Sequence, residues 1–386
     1  MCTIKRNQGD CSSMKIVLYA NAFLPNVGGG EYYNYDLANN LAISGKEVYV
    51  ITNIPGEKNE SYNFKVIRVD SRILFTVAKT FSIVKTIKPD IVHISGPTPI
   101  DYLISPLLKL FRIHVVLTYH ADFPSKIGKI YNRLIGLFQV FLDVIIVQTE
   151  SDNTKLLIRR VPERKIVKFP FNGIDERRYK VSVPPVPRDI DLIFIGRMDR
   201  EHVYKGYWNL ISILNILRKK IDTNIKVCII GGGADYINFK VKAQPMGLNI
   251  DFLKDVTDIQ IINLLNRSKC LILPSINNSE GFGRVALEAI FCGAVPIVSK
   301  YAGSSEIIKS AGCGIIVDPL EPERTATQIK DLILDRETLK ELQNKGSELI
   351  KFGNLTIAET TKKIIQIYES VLREQRLAKK PMFKTQ

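Results

Sequence analysis

Short apolar runs rich in β-branched residues alternate with amphipathic stretches along most of the chain. KIVLYA (15–20), EVYVIT (47–52), IVHIS (91–95), HVVLTYH (114–120) and VIIVQT (144–149) have the length and composition of strands buried on both faces. Helical patterns lie between most of them, such as EYYNYDLANNLAISG (31–45), which stops at a glycine. The alternation pauses at VSVPPVPRD (181–189), whose prolines predict a linker. It resumes with DLIFIG (191–196), KVCIIGGG (226–233), CLILPS (270–275), VPIVS (295–299) and GIIVD (314–318). Strands alternating with helices, twice over, predict an α/β protein of two doubly wound Rossmann-like domains facing across a cleft. The expected domains are 14–182 and 183–355, followed by a helix over 356–377. The polar start (1–13) and the basic tail (378–386) read as extensions.

The bulk properties narrow the classes. A chain of 386 residues suits two domains of ordinary size. Its apolar runs fall short of the roughly 18–20 residues of a membrane span; Lys109, Arg112, His114 and Asp143 interrupt the most apolar segments. No secretory leader is visible. The six cysteines are scattered without a C-x-x-C pair, with Cys228 and Cys270 in strand-like runs. That usage predicts a reducing, cytoplasmic setting. The formal charge of +15 suits phosphate-bearing ligands, an anionic membrane surface or nucleic acid, and equally a surface of solvated lysines. Nucleic acid is disfavoured because basic and aromatic residues are not interleaved.

The densest chemistry lies in SINNSEGFGRVALEAIFCGAVPIVS (275–299). A predicted strand precedes it, so the polar loop ending at Glu280 emerges at the edge where doubly wound sheets bind ligands. Gly281 and Gly283 permit a tight turn and close backbone approach. A helix is expected from about Gly283 to Phe291, with its first N–H groups open to an anion. Glu288 then lies more than a turn into the helix, about 7–8 Å along its axis. Two carboxylates so spaced match hydroxyl groups at the two ends of a nucleotide sugar; equally, each suits an ordinary solvated position.

Other elements add cations and turns. In FIGRMDREHVYKG (194–206), Arg197 and Lys205 follow a strand end and suit a diphosphate. Asp189-Ile190-Asp191 stands at the start of that strand, the wrong end for a ligand, so no metal site is expected and cations take the metal's part. The glycine turns of NVGGGEYY (26–33) and IIGGG (229–233) lack a full dinucleotide fingerprint. His120 stands at a strand's carboxyl end, whereas His93 falls inside a strand and is expected to be buried. His114 and His202 carry no assigned role.

Taken in order, these elements resemble glycosyltransferase family 4, the retaining GT-B enzymes. The resemblance runs from about Met14 to about Leu372. It rests on GGGE (28–31), TYH (118–120), NGID (172–175), GR (196–197) with KG (205–206), GGG (231–233) and the 274–299 run with its two glutamates eight apart. It implies that Glu280 contacts the donor-sugar hydroxyls and Glu288 the ribose. The backbone of Gly281, Phe282 and Gly283 would line sugar and phosphate, and Arg197 and Lys205 would hold the diphosphate. His120 would face the donor sugar, with Gly29 and Gly30 bordering the phosphates and acceptor. It further implies no metal, no cofactor and a final helix that returns to the first domain. Arg284 departs from the family's usual small or apolar residue; added phosphate affinity or simple exposure would account for it. The spacer between Arg197 and Lys205 is slightly long.

The expected activity is retaining transfer of a sugar from a nucleotide-diphosphate sugar to a glycan or lipid-linked acceptor. A GT-B epimerase or hydrolase is the alternative within the fold. SKIGKIYNRLIGLFQVFLD (125–143) places Lys126, Lys129 and Arg133 at helical spacing beside large apolar residues. That pattern fits a helix resting on an anionic bilayer, and also a core-packed helix with a solvated basic face.

Overall fold

A computed structural model describes residues 14–56, 60–69, 73–96, 98–120, 126–169, 173–221 and 225–378. The expected extension 1–13 and almost all of the basic tail lie outside the described residues. The chain forms two compact units. One runs to position 169 and takes up the C-terminal helix Ile357–Ala378; the other holds the residues from 173 to Thr356.

The first unit is built on a seven-stranded parallel sheet. In chain order its strands are β1 (Lys15–Ala20), β2 (Glu47–Thr52), β3 (Lys65–Arg68), β4 (Ile91–Gly96), β5 (His114–Tyr119), β6 (Val144–Val147) and β7 (Ile166–Lys168). Their spatial order is β3-β2-β1-β4-β5-β6-β7. The central strands are buried along nearly their whole length because helices cover both faces. Val17, Tyr19, Ile94, Leu117 and Val147 supply one such layer of core.

The second unit repeats the plan with β8 (Ile190–Ile195), β9 (Lys226–Ile230), β10 (Asn249–Leu253), β11 (Ser268–Leu273), β12 (Val295–Ser299) and β13 (Ile315–Val317). The order is β10-β9-β8-β11-β12-β13, again all parallel. In each sheet the order reverses once, between β1 and β4 and between β8 and β11. The loops beyond the carboxyl ends of those strand pairs form the crevice where such sheets take ligands.

The predicted strands all form, β13 at the edge of the second sheet among them, and β3, β7 and β10 add to them. The division between units falls before position 173 rather than in the proline-rich stretch at 181–189. Residues just after it pack into the second unit: Ile174 and Tyr179 join its core, and the Ile174 amide bonds the Leu355 carbonyl at 2.9 Å. Ser182 donates to Asn266, and Arg188 donates to the carbonyls of Ser268 and Cys292. The proline-rich segment is therefore a surface loop of the second unit.

The C-terminal helix completes the first unit. Its fully buried Tyr368 hydroxyl lies 2.5 Å from His93 Nδ1, and the other ring nitrogen lies 2.7 Å from Thr118 Oγ1. Burial, with the neighbouring His120 adding to it, drives the His93 pKa down to about 3. The imidazole is thus neutral in the fold and takes a proton on unfolding below pH 6.5, so acid works against the native state as pH falls from 6.5 toward 3. Between pH 7 and 5 the wild type should lose roughly 2 kcal/mol more stability than His93→Gln. Urea unfolding at the two pH values measures this, and parallel losses in both proteins would contradict it.

Candidate active site

A cluster of polar side chains in the second unit lies beyond β8 and β11, at the crossover of its strand order. After β8 the chain passes Gly196 and Arg197 and enters a short 3-10 turn, Arg200–Lys205. Asp199 caps the turn by accepting from the amides of Glu201 and His202. The turn absorbs the extra length between Arg197 and Lys205, so the long spacer does not displace the lysine. It closes at Gly206, whose φ of 70° lies in the left-handed region. A Cβ there would also collide with the Pro274 carbonyl oxygen, so the position requires glycine. The Ile276 amide donates to the Tyr204 carbonyl at 2.8 Å and locks this turn to the loop after β11.

That lock brings Lys205 onto Glu280. The ammonium lies 3.0 and 3.2 Å from the two carboxylate oxygens, and Ser275 Oγ donates to the second at 2.9 Å. The Glu280 side chain is only 4% exposed. Burial works against the Lys205 charge, but Glu280, with Tyr204 beside it, more than offsets this and holds the ammonium's pKa above the ordinary lysine value. The ammonium also stands 5.5 Å from the Tyr204 ring centroid. Arg197 is exposed, and its charge is felt at Lys205 and Tyr204. Ser275 and Tyr204 are site residues that the sequence reading missed; both adjoin residues it selected.

The turn after Glu280 is built from both glycines, Gly281 at φ 65° and Gly283 at φ 78°. The Phe282 side chain belongs to the core, with Leu271, Leu273 and Ala286. The carbonyls of Gly281 and Phe282 accept from Gly303 and Ser304, each at 2.7 Å. What this segment can offer a ligand is therefore main-chain N–H. The helix that follows spans Val285–Phe291, two residues shorter at its start than expected, which puts Glu288 in its first turn. Arg284 is neither exposed nor directed to solvent. Its side chain is 3% exposed, and Nε lies 3.2 Å from Glu288 Oε1.

The remaining sequence candidates separate. Met198 donates its amide to the Gly232 carbonyl and Gly196 to Ile230, so the 231–233 turn is packed against the chain beyond β8. Asp189 is engaged by Arg267 and Lys226, and Asp191 by Lys269, all at the amino edge of the sheet. Among the described residues no cluster of His, Cys, Asp and Glu has the makings of a metal site. In the first unit, Gly29 and Gly30 open the helix Gly29–Ile43, which Asn34 pins to the Ala22 carbonyl. His120 Nε2 lies 2.8 Å from Ser95 Oγ, and its ring meets Tyr33 edge-on at 5.0 Å. Burial pushes its pKa down to about 4, so it is neutral near pH 7. Of the sequence-selected residues, the structure joins Glu280 to Lys205 directly, with Arg197 nearby, and groups Glu288 with Arg284. His120, Gly29 and Gly30 belong to the first unit. Asn172 of NGID lies outside the described residues.

Two family models match the chain. "Glycosyl transferases group 1" matches residues 175–349, and "Glycosyltransferase Family 4" matches residues 27–178. N-acetyl-alpha-D-glucosaminyl L-malate synthase of Bacillus anthracis is 22% identical over 92% of this chain and 97% of its own. A Campylobacter jejuni GalNAc-alpha-(1->4)-GalNAc-alpha-(1->3)-diNAcBac-PP-undecaprenol alpha-1,4-N-acetyl-D-galactosaminyltransferase is 25% identical over 61% of this chain and 63% of its own. Among solved structures, Anabaena HepE in complex with UDP and glucose superposes with a TM-score of 0.76 at 18% identity, covering 92% of this chain and all of that one. Likeness at that level shows the fold, which is GT-B.

The Lys205–Glu280 contact has a direct energetic consequence. Lys205→Met keeps the alkyl stem but leaves a nearly buried carboxylate without its countercharge, a change that costs about 3 kcal/mol. Lys205→Met/Glu280→Gln should recover part of that loss, giving a coupling energy of at least about 1 kcal/mol in a double-mutant cycle of urea unfolding. Additive single-variant effects would show that the pair carries no coupling.

Proposed function

Because the chain belongs to the group 1 and family 4 glycosyltransferases, a class that moves sugars from nucleotide sugar donors, we propose that it transfers a sugar with retention from a nucleotide-diphosphate sugar to a glycan or lipid-linked acceptor. The observation that carries this reading is the Lys205–Glu280–Ser275 cluster at the crossover of the second sheet. It sets a cation for a phosphate directly beside a carboxylate for sugar hydroxyls.

In this reading Glu280 accepts from donor-sugar hydroxyls while Lys205 and Arg197 face the diphosphate. The main-chain N–H groups of the 281–283 turn supply further donors. As the bond between the anomeric carbon and the phosphate oxygen breaks, negative charge grows on the diphosphate, and the two cations stabilise it without a metal. The acceptor hydroxyl attacks on the same face, and its proton passes to the departing phosphate oxygen. Glu288 takes the ribose. His120, Gly29 and Gly30 are assigned to donor and acceptor by the family resemblance. The Campylobacter relative's named undecaprenol-linked substrate supports a lipid-linked acceptor here.

Among the described residues no helix is long and apolar enough to cross a membrane. The helix Lys126–Phe138 buries Ile135 yet exposes Ile130 and Leu137 beside an exposed Arg133. An exposed apolar and basic face supports docking on an anionic bilayer. The side chains of Lys126 and Lys129 lie outside the described residues.

Glu280→Gln and Lys205→Ala should each lower turnover at least about tenfold with EDTA present, because each removes a contact that strengthens in the transition state. The donor is first chosen by thermal shift among UDP, GDP and ADP sugars. Near-normal transfer by both variants would refute the site, and nucleotide release that ignores acceptor would favour the hydrolase or epimerase alternative. Separately, the protein should sediment with anionic liposomes and not with neutral ones, and added salt should release it. Absence from the anionic pellet at every salt concentration would end the membrane proposal.

A further inference from the structure

Arg284 and Glu288 are four residues apart on one helical turn and so share a face. Their side chains are 3% and 11% exposed, and Nε lies 3.2 Å from Oε1. Withdrawing a guanidinium from water is costly, and an apolar side chain of similar volume commonly fills such a site with no loss of stability. The immediate surroundings would accept one, since Ala286, Leu287 and Ile290 are buried alongside. Stability alone thus gives no reason for an arginine here.

The pair is also felt outside its own helix. Tyr179 is buried nearby; burial raises its pKa, the Glu288 charge raises it further, and the Arg284 charge opposes the rise. Arg178 lies 5.6 Å from the Tyr179 ring centroid and bonds Asp258, the first residue of the helix Asp258–Arg267, at 2.9 Å. Arg178, Asp258, Arg284 and Glu288, from three separate segments, are thus all felt electrostatically at Tyr179.

We propose that Arg284 is a positioning residue that fixes the Glu288 carboxylate, so that the donor's nucleotide is selected by its ribose hydroxyls. The proposal rests on the donor-site reading above. A carboxylate has about four acceptor positions, so an ion pair with the guanidinium is compatible with accepting from a ribose diol. What Arg284 removes is the rotational freedom of the carboxylate, and the diol meets an acceptor already oriented.

The test is isothermal titration calorimetry on the full chain with UDP, GDP and ADP. The tightest binder is then compared with its 2′,3′-dideoxy counterpart. Wild type should prefer the ribonucleotide. Arg284→Met should weaken the ribonucleotide about tenfold and leave the dideoxy form within about twofold, so that discrimination collapses. Arg284→Lys, which keeps the charge but lacks the fixed fork, should fall between. If Arg284→Met does not fold, the lysine variant decides alone, and discrimination equal to wild type in it would overturn the proposal. A variant that weakens both ligands equally would reveal a purely structural residue and overturn it too. Wild type that binds none of the three nucleotides, or that binds ribo and dideoxy forms alike, would instead bring down the donor-site reading beneath it.

Discussion

The ammonium of Lys205 spans both carboxylate oxygens of Glu280, and this contact makes one object of the two loops that meet where the second sheet reverses its strand order. The Ile276–Tyr204 hydrogen bond and the contact of Gly206 with Pro274 fasten the same loops at the main chain. A carboxylate this deeply buried is tolerable only with its charge answered on the spot. A ligand bringing a phosphate and hydroxyl groups therefore enters a network that is already satisfied. It exchanges one set of partners for another, and its affinity is the difference between the two.

How much of this could be read from the sequence depends on burial. The central strands are covered on both faces, so they appear as uninterrupted β-branched runs and were legible. The added strands are at the margins. β3, β7 and β10 are edge strands with partly exposed positions, and Lys65, Arg68 and Lys168 within them break the apolar pattern. The unit boundary was misplaced for a related reason. Prolines at 184, 185 and 187 signal a loop, but nothing in them says which body the loop lies on; that follows from Ile174 and Arg188, whose partners are about 80 or more residues away in sequence.

Within the site, the motif residues were legible and their mutual contacts were not. Spacing put Glu280 and Glu288 eight residues apart but could not reveal that each has a basic partner, one 75 positions upstream and one a single turn away. Arg284 stood out in the sequence only as an unusual residue for the motif. Its burial is set by the fold around it, which leaves the side chain 3% exposed beside Glu288.

The C-terminal helix has a consequence for how the chain comes off the ribosome. Tyr368 seals the buried His93 in a sheet whose strands are all synthesised before residue 170. Along the sequence the second unit is thus an insertion between two parts of the first. During synthesis the inserted unit can condense on its own, while its host must wait, with an imidazole and an apolar face uncovered, until the last helix emerges. The half-built host is the species most exposed to aggregation, although it contains the earliest residues made.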